Sequence, residues 1–209
     1  MNSRKYKRTS ARFAGAARLQ QMHHKNQSVS RNGFGLLPDA HKDRQSVTAD
    51  WQLLQQLIDG VRIKEMRHVP KENGHLTEIW RREWTLDAGL VDQVFQVLIQ
   101  PGGVSAWHTH QLTTDRLFVN HGLVKVVLYD ARKGSSTHGK LNVFRFGTVR
   151  PALVIVPAGV WHGLENLANE PSLVLNLVDR AYKYEDPDHW RLPANTDKIP
   201  YQFGNGARG

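Results

Sequence analysis

Three histidines and one aspartate hold most of the chemistry available to this chain. His108 and His110 stand two residues apart in the stretch from Gly102 to Gly122, GGVSAWHTHQLTTDRLFVNHG. Asp115 follows five residues after His110, and His162 lies in PAGVWHGLEN. Residues i and i+2 of a strand share a face, so the imidazoles of His108 and His110 point the same way. With His162 and Asp115 they offer three ring nitrogens and a carboxylate to one point, a donor set for a divalent first-row metal ion. There is no cysteine, which excludes disulfides, thiolate ligands and cysteine nucleophiles. Any transition metal must be held by nitrogen and oxygen, and this set suits zinc, iron, manganese, nickel or copper in turn.

The elements that must carry these side chains are short strands. After Gly60 the chain alternates, or runs continuously β-branched, in VRIKEM, LTEIWRREW, VFQVLIQ, RLFV, LVKVVLY, NVFRF, ALVIV and SLVLNLV. Glycine or proline breaks separate them, as at Pro101-Gly102-Gly103 and Pro157-Ala158-Gly159. Many short strands at close spacing predict an all-β sandwich or barrel, here a double-sheet jelly roll. Ahead of them, TADWQLLQQLI from Thr48 to Ile58 places Trp51, Leu54 and Ile58 on one stripe with Leu53 and Leu57 beside it, predicting a short helix packed on the sheet. The last thirty residues, with Pro187, Pro193 and Pro200, read as an irregular ordered cover.

The 209 residues, 40% hydrophobic and 22% charged, suit one globular domain over 46–209. The net charge of +9 belongs to the N-terminus: residues 1–45 carry ten Lys or Arg against two acids, leaving 18 against 17 for the remainder. That polar, basic stretch predicts a flexible arm. Because the domain itself is nearly neutral, nucleic acid is not expected as a partner. No run suits a membrane span, no apolar core of a secretory signal appears, and a cytoplasmic protein is expected.

Two resemblances follow. Gly102, His108, His110, Asp115 and Gly122 match the first cupin motif, and Pro157, Gly159, His162 and Asn166 the second, in the right order. This implies a double-stranded β-helix, the cupin jelly roll, with His108, His110, Asp115 and His162 as metal ligands. From about Gly60 to Phe203 the chain also resembles the dTDP-4-dehydrorhamnose 3,5-epimerase family. KENGHLTEIWR, YDARKGSSTHGK and VPAGVWHGL are similar to its signature runs. The resemblance implies an isomerase acting on a nucleotide-linked 4-keto-6-deoxy sugar in surface polysaccharide biosynthesis, with a homodimer as the working form. It places the family's base at His108 and a substrate-side histidine at His162.

The departures from that family cluster at the site. Aligned on Gly122, its enolate-steadying lysine falls at Asp115, its glutamine after the base at His110, its arginine at Ser105 and its tyrosine acid at Leu175. A metal ion would stabilise an enolate without the lysine, but a metal-bound His108 would no longer be a free base. Glu78, His121 and Tyr182 are then candidates for proton transfer, with Glu78 and Tyr182 joining His108 and His162 as the expected catalytic residues. Arg116, Gln96 and Trp161 are the candidates for substrate binding. Trp107 is expected to point away from the site. Two other readings stay open: a metal-dependent cupin oxygenase acting on a small acid or enol, and a non-catalytic sugar-binding cupin.

Overall fold

The computed structural model describes residue 35, residues 37–50 and residues 54–204. The chain divides into a unit of residues 1–44 and a larger one of residues 45–209. Most of the basic arm expected over residues 1–45 lies outside the described residues, and so do Trp51 and Leu53 of the expected helix. Among the described residues no helix is long and apolar enough to cross a membrane.

The larger unit is a jelly roll of two antiparallel five-stranded sheets. The strands are β1 (Arg62–Glu65), β2 (Val69–Lys71), β3 (Gly74–Leu76), β4 (Gln93–Ile99), β5 (Val104–Thr109), β6 (Asp115–His121), β7 (Leu123–Asp130), β8 (Leu141–Gly147), β9 (Ala152–Val156), β10 (Val160–Asn166), β11 (Ser172–Val178) and β12 (Trp190–Arg191). One sheet has the order β1-β9-β6-β11-β4, the other β12-β5-β10-β7-β8, and β2 with β3 forms a separate hairpin. Period-2 alternation divides each strand between two environments. Val124, Val126 and Leu128 of β7, Phe144 and Phe146 of β8, Leu117 and Val119 of β6, and Val174 of β11 fill the space between the sheets.

Both outer faces are partly covered. Phe118, Leu153 and Leu177 on the back of the first sheet pack against Ile79, Trp80, Trp84, Leu86 and Val91. On the back of the second, Trp107 and Val127 pack against Ile199, Tyr201 and Phe203. The expected strand over Leu76–Trp84 is therefore a correction: residues 77–81 are irregular and Arg82–Trp84 is one turn of 3-10 helix. Its tryptophans serve as a cover, and a cover needs no ladder partner.

The expected helix over Thr48–Ile58 is also corrected for the part described: Leu54–Ile58 is not helical. Its backbone groups are taken up by distant partners instead of by the next turn. Ile58 N–H donates to Asn142 Oδ1 at 2.8 Å, Asn142 Nδ2 donates to the Gln56 carbonyl at 3.0 Å, and Asp59 N–H donates to Thr137 Oγ1 at 2.9 Å. Ile58, 1% exposed, enters the core from this extended segment.

Several motif residues serve this framework. Gly122 has φ +82°, and a Cβ there would lie 2.1 Å from Ser172 Oγ, so the β6–β7 turn needs glycine. Asn166 donates to the carbonyls of Ile99 and Glu170 and accepts from Ala168 N–H and Ser172 Oγ, tying three segments together at one end of the roll. In the YDARKGSSTHGK loop the buried Asp130 carboxylate accepts from Arg132, Ser135 and Thr137.

Candidate functional site

Between the sheets, at the end away from Asn166, lies a cavity of about 870 Å³. Its aliphatic wall is made by Val97, Leu117, Leu164 and Val174, and its polar wall by His108, His110, Asp115, His162, Asn176 and His189. The strand register sets this arrangement. His162 on β10 stands directly opposite His108 on β5, and Arg191 on β12 flanks His108 from the other side. Asp115 opens β6 in the facing sheet, where Asn176 of β11 lies beside it.

His110, Asp115 and His162 converge. His110 Nε2 lies 3.4 Å and His162 Nε2 3.7 Å from Asp115 Oδ2, and one donor atom from each of the three falls within 4.8 Å of the others. Each residue is held through its remaining polar atom. His110 Nδ1 bonds the Asp188 carbonyl, His162 Nδ1 approaches the Val160 carbonyl at 3.3 Å, and Asp115 Oδ1 accepts from Asn176 Nδ2 at 2.7 Å.

His108 stands apart from that triad, which corrects the expectation of four ligands. Its Nε2 lies 3.1 Å from Ser105 Oγ, and its Nδ1 lies 3.1 Å from His189 Nε2 and 3.2 Å from Arg191 Nη1. Both nitrogens are thus engaged by other side chains. A guanidinium only donates, so an Arg191 bond to Nδ1 leaves the proton of the neutral ring on Nε2. Burial, then the neighbouring His162, Arg191, His189 and His110, pushes the His108 imidazole down to about 3. Burial likewise lowers His162, against the pull of Asp115, and lowers His189 to about 4 with Arg191 adding to it. These rings are neutral at neutral pH, with lone pairs for a proton or an ion.

Tyr182, about half exposed, lines the cavity near its mouth, and its N–H donates to Gln93 Oε1 at 2.9 Å. The other expected residues lie elsewhere. Glu78 is exposed and pairs with Arg81 at 2.5 Å, outside the cavity. His121 is exposed beside Glu170. Gln96 is corrected as a substrate contact, because Gln93, Phe95 and Val97 of β4 face the cavity and alternation sends Gln96 to the opposite face. Arg116 is corrected for the same reason: neighbour to Asp115 on β6, it points outward, is fully buried, and grips Asp87 through two bonds of 2.8 and 2.9 Å. Trp161 packs outside the second sheet with Trp107 and Val127, so it too is corrected; Trp107 points away from the cavity as expected. Leu175 also faces outward, among the residues that cover the first sheet.

Asn176, Asp188, His189 and Arg191 are not singled out by the sequence, and Ser105 enters there only as the position of the family's arginine. Asn176 has a signal, being a polar residue in the middle of the otherwise apolar run after Ser172 in the strand SLVLNLV. His189 and Arg191 lie in the expected C-terminal cover, but only the pairing of β12 with β5 brings them to His108.

Fold and site together define a jelly-roll protein whose histidine-walled cavity suits proton transfer on a polar small molecule. The match to the dTDP-4-dehydrorhamnose 3,5-epimerase family covers residues 55–203, and the chain belongs to that family. It is 32% identical over 137 residues to the probable low-salt glycan biosynthesis epimerase Agl13 of Haloferax volcanii, covering 65% of this chain and 88% of that one. It is 30% identical over 155 residues to the spore coat polysaccharide biosynthesis protein SpsL of Bacillus subtilis, covering 73% of this chain and 100% of that one. The crystal structure of a dTDP sugar isomerase from Desulfovibrio desulfuricans is similar with a TM-score of 0.67 and 28% identity, over 71% of this chain and 93% of the other.

Proposed function

We propose that this protein epimerises a nucleotide-linked 4-keto sugar used to build a surface polysaccharide, with His108 as the base. The observation that carries this reading is that His108 faces the cavity without being part of the converging triad, so its ring is not committed as a ligand. The ketone acidifies the hydrogen on an adjacent carbon. Removing it breaks the C–H bond, puts the proton on an imidazole nitrogen and leaves the electron pair delocalised onto the ketone oxygen. Reprotonation of the carbon from the opposite face completes the inversion.

For His108 to accept this proton at Nε2, its own proton must sit on Nδ1. His189 Nε2, 3.1 Å away, is the acceptor that stabilises that tautomer once Arg191 releases Nδ1. A diphosphate gives Arg191 an alternative partner. Tyr182, the one tyrosine among the described residues that lines the cavity, is the group we assign to return the proton. We take the active form to be a homodimer in the cytoplasm, where nucleoside triphosphates for sugar activation are made. Exposed Val94 and Leu98 on the outer face of the edge strand β4 support self-association.

The test is solvent exchange. Incubated in heavy water with a dTDP-4-keto-6-deoxyhexose, the protein is expected to introduce deuterium next to the ketone. His108→Asn is expected to slow this by roughly 10²- to 10⁴-fold, the usual worth of a positioned base. Absence of exchange by folded, metal-supplemented wild type overturns the reading.

A further inference from the structure

We propose that Tyr201 and Phe203 are positioning residues for His108: packed on Trp107 behind β5, they hold the pairing with β12 that sets His189 and Arg191 against the imidazole. The consequence for turnover rests on the epimerase reading, whereas the structural coupling does not.

β12 is too short to hold itself in place. It has 2 residues and lies at the edge of its sheet beside β5, with Arg191 opposite His108. Just beyond it, Leu192 exchanges both backbone bonds with Trp107: Trp107 N–H donates to the Leu192 carbonyl at 2.9 Å, and Leu192 N–H to the Trp107 carbonyl at 3.2 Å. Each such bond adds little net stability, and a ribbon this short frays unless side chains support it. On the cavity side the pair presents only the polar groups of His108, His189 and Arg191. Apolar support must therefore come from behind.

The support is aromatic. Trp107 is fully buried, and its ring centroid lies 5.0 Å from that of Phe203 and 6.2 Å from that of Tyr201, the latter edge-on. Tyr201 and Phe203 also meet edge-on, with centroids 5.0 Å apart. Trp107 Nε1 has no hydrogen-bond partner among the described residues, so packing alone orients the indole. Trp107 and His108 are consecutive in β5 and face opposite sides of it, so a shift of the indole is passed directly to the imidazole. Phe203 reaches the neighbouring strand as well. A Cβ on Gly163 would lie 2.6 Å from Phe203 Cζ and 2.6 Å from Ala106 Cβ, so β10 carries glycine where the ring comes close. Gly163 directly follows His162, which stands opposite His108.

The far end of the segment is tied down too. Gly204 N–H donates to Glu165 Oε1 at 3.2 Å, and Glu165 Oε2 accepts from Lys125 Nζ at 2.6 Å, in a buried pair on the same outer face of β10 and β7. The stretch from Leu192 to Gly204 is thus fastened at both ends. Neither Tyr201 nor Phe203 lines the cavity, so their effect on His108 runs through Trp107 and β12.

The experiment compares full-length Phe203→Ala and Tyr201→Ala with Tyr201→Phe, which keeps the ring, and with Trp84→Ala, which thins the cover of the opposite sheet. Circular dichroism and melting curves fix a working temperature at which every variant is folded. Amide hydrogen exchange at Trp107 and Leu192, read by NMR, is expected to accelerate by about 10- to 100-fold in both alanine variants and to stay at the wild-type rate in Trp84→Ala. Deuterium wash-in to the 4-keto sugar is expected to fall by about 10- to 100-fold in kcat in the same two variants, more than any rise in KM, because a base displaced by about 1 Å costs that much. Tyr201→Phe is expected to match wild type in both measurements, and Trp84→Ala to keep kcat despite a lower melting temperature. If Phe203→Ala does not fold, Phe203→Leu gives the same readings with smaller changes. Unaltered exchange at Trp107 and Leu192 in the folded variants overturns the proposal, as does faster exchange with kcat unchanged. A kcat loss in Trp84→Ala equal to that in Phe203→Ala overturns it as well. Absence of wash-in by wild type removes the epimerase reading, and the amide exchange then decides the coupling by itself.

Discussion

Replacing Arg116 tests whether it supports the fold or meets substrate. Its side chain is 0% exposed, donates to Asp87 at 2.8 and 2.9 Å, and reaches the Leu177 carbonyl at 3.3 Å. Arg116→Met keeps much of the apolar stem but strands the Asp87 carboxylate. Breaking one side of a buried pair costs about 3–5 kcal/mol. Asp87 is still 19% exposed, so water can resolvate it, and the expected cost falls at the low end, about 3 kcal/mol. For a domain of this size that lowers the melting temperature by about 6–12 °C. Asp87→Ala is expected to be worse, because the group left alone is a guanidinium without access to water. The double variant Arg116→Met/Asp87→Leu is expected to be more stable than either single one, since it removes both charges. Urea unfolding at pH 7 reads all three. A midpoint for Arg116→Met within about 1 kcal/mol of wild type, or a double variant no better than its parents, refutes the reasoning. A raised KM with unchanged stability would return Arg116 to substrate binding.

Two further outcomes are expected. Tyr182→Phe should retain deuterium wash-in next to the ketone yet lose most net inversion, measured by NMR of the sugar; loss of both would deny it the role of returning the proton. Burial alone would raise the Asp130 carboxyl, but hydrogen bonds from Arg132, Ser135 and Thr137 outweigh it and hold the group below its ordinary 3.8. Its stabilisation is therefore fully present above about pH 4 and is lost as pH falls further. Asp130→Asn should cost about 2 kcal/mol at neutral pH, with the gap to wild type narrowing below about pH 4 in acid unfolding curves.

The jelly roll was legible because alternation and turn residues are local. SLVLNLV and ALVIV declare their inner and outer faces without help from elsewhere. The helix over Thr48–Ile58 failed for the converse reason: its apolar stripe is real, but Asn142 and Thr137, some eighty residues away, take the backbone donors. The same one-residue alternation explains the mixed result at the site. It put His108, His110 and Asp115 on the cavity side and Trp107 behind it, and it would have excluded Gln96, Arg116 and Trp161 had each been counted from its cavity-facing neighbour. The separation of His108 from the other three was not legible. It depends on Arg191, whose strand is two residues long and gains its place by pairing with β5, and on His189 just before that strand. Asn166 and Gly122 were read as part of a metal motif, and their work is to close the opposite end of the roll.

Asp188 joins two jobs that are usually separate. Its carboxylate accepts from the N–H groups of Gln111, Leu112 and Thr113, while its backbone carbonyl takes Nδ1 of His110. The segment that roofs the cavity is thereby also the part that aims a donor atom into it. A displacement of that segment would release His110 in the same movement. A change in the length of that segment would therefore reach past the cavity lining to the orientation of His110 as well.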